Sequence, residues 1–272
     1  TSGNKDLEAE ESENISVGLT LQLMDNLTFT YDWWEIETTG TVGVLSDENI
    51  SRLDLIARGE GSSNPDVIRG PIDADNPLGE IVQINRRYEN LNTRTITGYD
   101  IAVNYNLDTS IGDFDLTLNG ARTLKFDQEA GGDASIIVEA GADPSVLGTA
   151  VGDIVGTNSI PEWQATASLK WKSTDALWGA GLFAKYVGAV DNTSVSKTVD
   201  SVTTFYEMES QTRVNTYLTR HDFMGYEDLS ISFGINNIFD EEPPLADTTF
   251  GYDGSLHSSR GRYFYTSASF SF

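Results

Sequence analysis

Apolar and polar residues alternate with a period of two over much of the chain. That is the spacing of strands with unlike faces. Ile15, Val17, Leu19, Leu21 and Leu23 share one face of a first strand ending at Met24. Asp25-Asn26 is a two-residue hairpin turn. A second strand, 27–39, carries Leu27, Phe29, Tyr31 and Trp33 on one face and Thr28, Thr30 and Asp32 on the other. The pattern returns in Tyr99, Ile101, Val103, Tyr105 and Leu107, then in Phe114, Leu116 and Leu118. It returns again in Trp163 to Trp171, in Trp178 to Tyr186, and in Leu229, Ile231, Phe233 and Ile235. The segment 213–223 reads as a strand whose facing its residues leave open. The final strand sets Phe264, Thr266, Ala268, Phe270 and Phe272 against Tyr263, Tyr265, Ser267, Ser269 and Ser271.

Between the strands, the connections alternate in length. Short turns fall at Asp25, Asp108, Ser173 and Met224, and long connections start at Gly40, Asp127, Gly188 and Phe239. Within the first long connection, Ser46 or Asp47 can cap a short helix, Glu48 to Ala57, with Ile50, Leu53 and Ile56 at helical spacing. The connections 127–159 and 188–211 read as loops. Taking 81–107 as one long strand gives nine strands. Outer-membrane barrels join their strands by short periplasmic turns and long extracellular loops. On that rule the last strand descends to the periplasm, and residues 1–14 lie outside the cell. Nine strands leave two open edges in lipid, so the chain reads as the C-terminal part of a larger up-and-down β-barrel.

Composition adjusts this picture without changing it. Forty-two acidic and 17 basic residues give a net charge of −25 over 272 residues. This argues against nucleic acid as a partner, because phosphate binding needs a basic face. Mean hydropathy is −0.29, and a barrel with only every second residue apolar is compatible with that value. The absence of cysteine removes thiolate metal sites. Trp residues at both ends of an apolar strand face suit the two interfaces of a bilayer.

Several phrases resemble those of one family. Asn236-Asn-Ile-Phe-Asp-Glu-Glu-Pro-Pro244 is similar to the N-N-[LI]-F-D-x-x-P-P phrase before the last extracellular loop of TonB-dependent outer-membrane receptors. Gly251 to Phe264 resembles the loop-to-last-strand segment of the proteobacterial branch of that family. Asn92 with Thr97-Gly98-Tyr-Asp-Ile101 is similar to its N…GxD strand. Asp6-Leu-Glu-Ala-Glu10 resembles an upstream phrase in which proline stands at the place of Ala9. The resemblance implies an all-β, transmembrane, antiparallel barrel of about 22 strands around a plug. It implies import of a scarce or bulky nutrient, a siderophore or oligosaccharide for example, driven by TonB through an N-terminal region outside this chain. The implied partners are outer-membrane lipid, TonB, the barrel-assembly machinery and the imported ligand. The terminal aromatic strand, with Phe264, Phe270 and Phe272, is what that machinery recognises in the family. A secreted acidic all-β adhesin or carbohydrate-binding module is the alternative. It explains the charge and the aromatic content but not the rhythm of the connections.

Candidate chemistry is sparse. Trp34 should face the lumen, where it can stack on a ring-shaped ligand or pack against a plug. Tyr252, Asp253, His257 and Arg260 fall near the outer mouth and are ligand-contact candidates, with hydrogen bonding within the loop as the plainer role. Asp240-Glu241-Glu242 and Asp73 with Asp75 are the densest acidic groups, but they lack the spacing of a calcium loop. Neither His221 nor His257 sits in a metal or triad motif, and no serine has a G-x-S-x-G setting. No cofactor, no metal and no enzymatic activity are expected.

Overall fold

The computed structural model describes the whole chain except residues 1–2, 73, 143–146, 148–150, 201, 227 and 271–272. The elements run β1 (Glu11–Met24), β2 (Leu27–Gly43), α1 (Asp47–Gly59), β3 (Val67–Arg69), β4 (Ile81–Ile84), β5 (Glu89–Thr109), β6 (Gly112–Ala130), α2 (Gly132–Glu139) and β7 (Gly152–Asp153). They continue with β8 (Trp163–Lys172), β9 (Trp178–Val187), β10 (Val190–Val199), β11 (Val202–Met208), β12 (Gln211–Arg220), β13 (Leu229–Asn236) and β14 (Tyr263–Phe270). The main sheet has the order β1-β2-β5-β6-β8-β9-β12-β13-β14, with β7 paired to β6. Each strand on that path neighbours the next strand of the path in sequence, which is an up-and-down meander. The short turns and long connections alternate as the sequence predicts.

Cross-strand register fixes the two faces. One row runs Leu116, Leu169, Leu182, Thr216, Ile235, Phe264. The next row on the same face runs Phe114, Trp171, Ala180, Leu218, Phe233, Thr266. The opposite face carries Thr117, Ser168, Phe183 and Asn215 in one row and Asn119, Thr166, Lys185 and Arg213 in another. This resolves the facing of β12. Val214, Thr216 and Leu218 are apolar-side, and its two threonines blur the alternation that the neighbouring strands show.

The apolar face is half-exposed or exposed along its length. Leu182 is 46% exposed and Phe264 61%, as a surface meant for lipid rather than for a core. Trp163 and Trp171 bracket it on β8. Eight residues at about 3.3 Å each separate them by about 26 Å, close to the ~25 Å apolar band of such barrels. At one end Tyr31, Tyr99 and Trp163 form a ring ladder, with centroids 5.4 and 5.9 Å apart. There the Arg122 guanidinium lies 5.3 Å over the Trp163 ring and pairs with Glu162. At the other end Arg220 lies 5.1 Å over Trp178. Both arginines set the guanidinium charge over the face of a tryptophan at an end of the strands, a cation–π arrangement.

Three segments differ from the sequence expectation. Residues 81–84 leave the long strand and pair with β3 in a separate two-stranded sheet, so the barrel strand begins at Glu89. The connection 127–159 holds α2, whose Ile137 is fully buried. Gly, Ala and Asp around it gave no helical stripe long enough to read. The connection 188–211 is not a loop but the hairpin β10–β11, with Val190 opposite Met208 and Val199 opposite Val202. Its Ser/Thr content masked the period of two.

The chain divides into two compact units. One comprises 1–15, 35–97 and 125–154; the other comprises 16–34, 98–124 and 155–272. The first has a core of Leu53, Ala134, Ile137 and Leu147. Helix α1 is capped by Ser46, whose side chain accepts from the Asn49 N–H at 3.2 Å. Its Asp54 is fully buried, accepting from Arg58 and Arg69 Nε at 2.9 Å each and from the Asn64 N–H at 3.1 Å. The second unit holds the aromatic-rimmed strands and, in the hairpin region, a small core of Val190, Met208 and Ala246 with Leu256 packed on it.

Candidate functional site

The site is built from the turn that ends β13. Asn237 is fully buried with φ of +54°, a left-handed conformation that asparagine tolerates better than most residues. Its amide closes a ring with Glu241: Nδ2 donates to the Glu241 carbonyl and Oδ1 accepts the Glu241 N–H, both at 2.9 Å. Its own N–H donates to Asn215 Oδ1 on β12 at 2.8 Å. Three residues on, Asp240 turns left-handed too (φ +58°) and accepts the Arg262 N–H at 2.6 Å. The phrase Asn236–Asp240 is therefore a structural clamp. It stops β13, sends out the loop 237–262 and receives the chain again at β14.

Within that loop, Leu256 is anchored on the Val190–Met208 core, and this presents residues 253–258 to the start of β12. Asp253 organises the segment. Its carboxylate accepts from Ser255 N–H at 2.8 Å, Ser255 Oγ at 2.6 Å and Ser159 Oγ at 2.7 Å, and its carbonyl accepts the His257 N–H at 2.9 Å. Burial pushes the Asp253 carboxyl up, but these hydrogen bonds outweigh it and hold it below the usual carboxylate value. His257 is 6% exposed. Its Nδ1 lies 3.2 Å from Gln211 Oε1, while Gln211 Nε2 donates to the Glu242 carbonyl at 2.8 Å. Burial depresses the imidazole below its ordinary value and Lys185 adds to that, against the opposing charge of Asp253.

His257, Gln211, Arg213, Lys185, Val187 and residues 255–258 surround a pocket of about 250 Å³. The Arg213 guanidinium reaches the carbonyls of Ser258 and Arg260. A second concavity, about 320 Å³, shares Lys185 and is lined by Asp32, Asp100, Asn119, Gln164 and Thr166.

The sequence candidates separate into groups. Asp253 and His257 meet in one network. Tyr252 donates from its hydroxyl to Ser259 Oγ at 3.1 Å, and Arg260 joins through its backbone carbonyl. Trp34 stands apart on β2, its ring over Gly98, where any Cβ would come within 2.5 Å of it. Phe264 and Phe270 are on the apolar face of β14 opposite Ile235 and Leu229; Phe272 lies outside the described residues. So does Asp73, whereas Asp240 is engaged with Arg262. Gln211 and Arg213 were not foreseen, because the unresolved facing of β12 hid which of its side chains turn from lipid; Lys185 lies on the polar side of β9, whose alternation was read, but nothing in its own strand marked it out from the other polar positions. Among the described residues His221 Nδ1 lies 2.9 Å from Ser230 Oγ. The contact joins neighbouring strands beside the short turn 221–228, remote in sequence from the loop network.

The TonB dependent receptor-like, beta-barrel family model matches residues 1–238. The chain belongs to that family. No curated protein matches it in sequence. Among solved structures it is similar to a mutant of the ferric enterobactin receptor PfeA from Pseudomonas aeruginosa (18% identity, TM-score 0.60, 99% of this chain and 32% of that one). It is similar also to the siderophore receptor PirA from Acinetobacter baumannii (15%, 0.62, 99% and 33%) and to the ferripyoverdine receptor of Pseudomonas aeruginosa (14%, 0.56, 97% and 27%). At these identities the likeness is one of fold. The chain spans about a third of the length of these receptors. As a TonB-dependent receptor β-barrel it is an outer-membrane protein, and its exposed apolar face with aromatic ends is the lipid surface that such a protein needs. In general the family's members transport rather than catalyse.

Proposed function

We propose that the chain is the C-terminal portion of the barrel of a receptor that imports a scarce nutrient across the outer membrane. TonB supplies the energy through a plug region outside residues 1–272. The observation that carries this reading is the order of the main sheet. Nine sequential antiparallel strands with short turns at one end, long connections at the other and one lipid-type face have no use in a soluble binding module. The long-connection end, with Asp253, His257, Arg213 and Lys185, is then the outer mouth where ligand arrives. That similar structures are receptors for ferric siderophores supports import as the activity and leaves the cargo to be found.

The test uses the intact receptor in its native cell. Growth on limiting nutrients and binding of ligand are compared in cells with the receptor, cells without it, and cells lacking TonB. Import requires the receptor and TonB together, whereas surface binding requires the receptor alone. Uptake that survives loss of TonB would refute the reading.

A further inference from the structure

The apolar face of the second unit is not uniform. Toward the short turns its rows are bulky, as in Leu116–Leu169–Leu182 and the pair Phe114–Trp171. Toward the long connections four small residues adjoin. Gly120 stands opposite Ala165, and Ala167 opposite Ala184. Side chains this short leave the backbone of the sheet as the floor of a groove of about 350 Å³. Ile101, Leu118, Trp163 and Tyr186 wall it. The Trp163 ring is held edge-on to Tyr99 at 5.9 Å and under the Arg122 guanidinium at 5.3 Å, so it frames the groove instead of folding into it. Gly120 has little room to grow, since a Cβ there would press on Ile101 Cγ1 at 3.2 Å.

The surroundings of the groove name its occupant. In an outer-membrane barrel this face meets hydrocarbon. Lipid tails are as apolar as leucine, so what holds two surfaces together there is close van der Waals contact, which small residues permit. A gap left unfilled forfeits those contacts. Leu118, Leu169, Leu182 and Tyr186 stand exposed around the small residues. A broad surface, such as a second barrel, would rest on these and leave the floor bare, whereas a slim, flexible chain reaches it. Trp163 to Ala167 covers four residues, about 13 Å at about 3.3 Å each, or roughly half of the ~25 Å apolar band. The groove therefore runs from one interface to the midplane, the reach of an acyl chain from one leaflet. At its rim Arg122 is paired with Glu162 and offers no net charge, so the site selects the chain and not the headgroup.

We propose that this groove is a lipid site: it holds one acyl chain of a membrane lipid, which enters beside Trp163 and ends near Ala167 and Ala184, and which stays while the lipids around it exchange. The chain covers the stretch of β6, β8 and β9 where glycine and alanine leave the hydrogen-bonded backbone thinly clothed. That the lipid belongs to the outer leaflet rests on reading the long-connection end as the outer mouth of a transport receptor; the groove and the direction of the chain in it do not.

The experiment uses the intact receptor in vesicles of dimyristoylphosphatidylcholine. The probe is a trace of phosphatidylcholine with a photoreactive diazirine, placed either near the carboxyl end or near the methyl end of one chain, and labelled residues are mapped by peptide mass spectrometry. The first probe should label Trp163 and Tyr186, the second Ala167 and Ala184, and both more densely than Leu182 or Phe233 on the same face. Ala167→Leu, which fills the floor, should bring labelling of Ala184 down to the level at Leu182. Ala180→Leu, on the same face outside the groove, should leave the pattern as it is. Heat-modifiable gel mobility checks that both variants fold, and the wild-type map tests the site without any variant. The proposal is overturned by labelling no denser in the groove than at Leu182 and Phe233, by the two probes appearing in the reverse order, or by labelling of Ala184 that survives in folded Ala167→Leu. These vesicles hold neither TonB nor cargo. Failure here leaves the import reading standing, and uptake that survives loss of TonB would fall on that reading alone.

Discussion

Asn237 offers the sharpest test of how the outer loop is held. Its side chain makes two hydrogen bonds to one residue, Glu241, while its backbone is left-handed and buried. Asn237→Ala removes both bonds, at about 0.5–1.5 kcal/mol each. It also places a Cβ-bearing residue without a compensating side chain in the left-handed region, at about 1 kcal/mol. The expected loss is roughly 2–4 kcal/mol. Asn237→Gly suffers only the first loss and should be more stable than Ala by about 0.5–1 kcal/mol. Asn237→Asp keeps the bond from the Glu241 N–H but sets a carboxylate oxygen against the Glu241 carbonyl, and it should recover when acid protonates it and restores a donor. The assay is urea denaturation of the intact receptor in detergent, with the folded fraction read by heat-modifiable gel mobility. If Ala and Gly both cost under about 0.5 kcal/mol, or Asp behaves as wild type at neutral pH, the clamp does not hold the loop as described.

Three further outcomes follow from the same geometry. In the denaturation assay, Leu182→Arg, in the middle of the lipid face, should cost about 2–4 kcal/mol, and Phe183→Arg on the opposite face about 1 kcal/mol or less; equal costs would contradict the assigned facing. Asp54→Ala strips a buried carboxylate from Arg58 and Arg69 and should cost about 3 kcal/mol, seen as faster protease cutting of 47–60; unchanged cutting would count against it. Burial depresses His257 below its ordinary value near 6.5, so the folded loop binds fewer protons than the unfolded one and its stability is lost as pH falls from that value toward the folded one. Amide exchange over 253–260 should then quicken between pH 7.5 and 5.5 beyond the intrinsic rate change, and the excess should vanish in His257→Gln.

The lipid-facing strands were legible because their residues serve one boundary. Leu, Trp and Phe at alternate positions of β8, β9, β13 and β14 leave no second interpretation of the period. Strand β12 was legible as a strand but its facing was not, since Thr212 and Thr216 sit on the apolar side and blunt the contrast. Helix α2 and the hairpin β10–β11 were missed for a related reason. Each buries a few residues, such as Ile137 or Val190 with Met208, against segments distant in sequence, so no stripe betrays them. In the site, His257 and Asp253 were found by residue type and by their loop. Gln211 carries as much of the chemistry as His257, yet nothing in its neighbourhood of sequence distinguishes it. Its role comes from a carbonyl 31 residues away, at Glu242.

The contact from Asp240 to the Arg262 N–H spans 22 residues, and it ties the loop off at its base. For a flexible segment closed in that way, doubling its length costs only about 0.6 kcal/mol of closure entropy. The outer loop can therefore lengthen, shorten or exchange sequence during evolution at little thermodynamic expense. Meanwhile Asn237 and Asp240 keep the last strand in step with its neighbour. A lineage can rewrite the loop 237–262 without disturbing how β13 and β14 are paired.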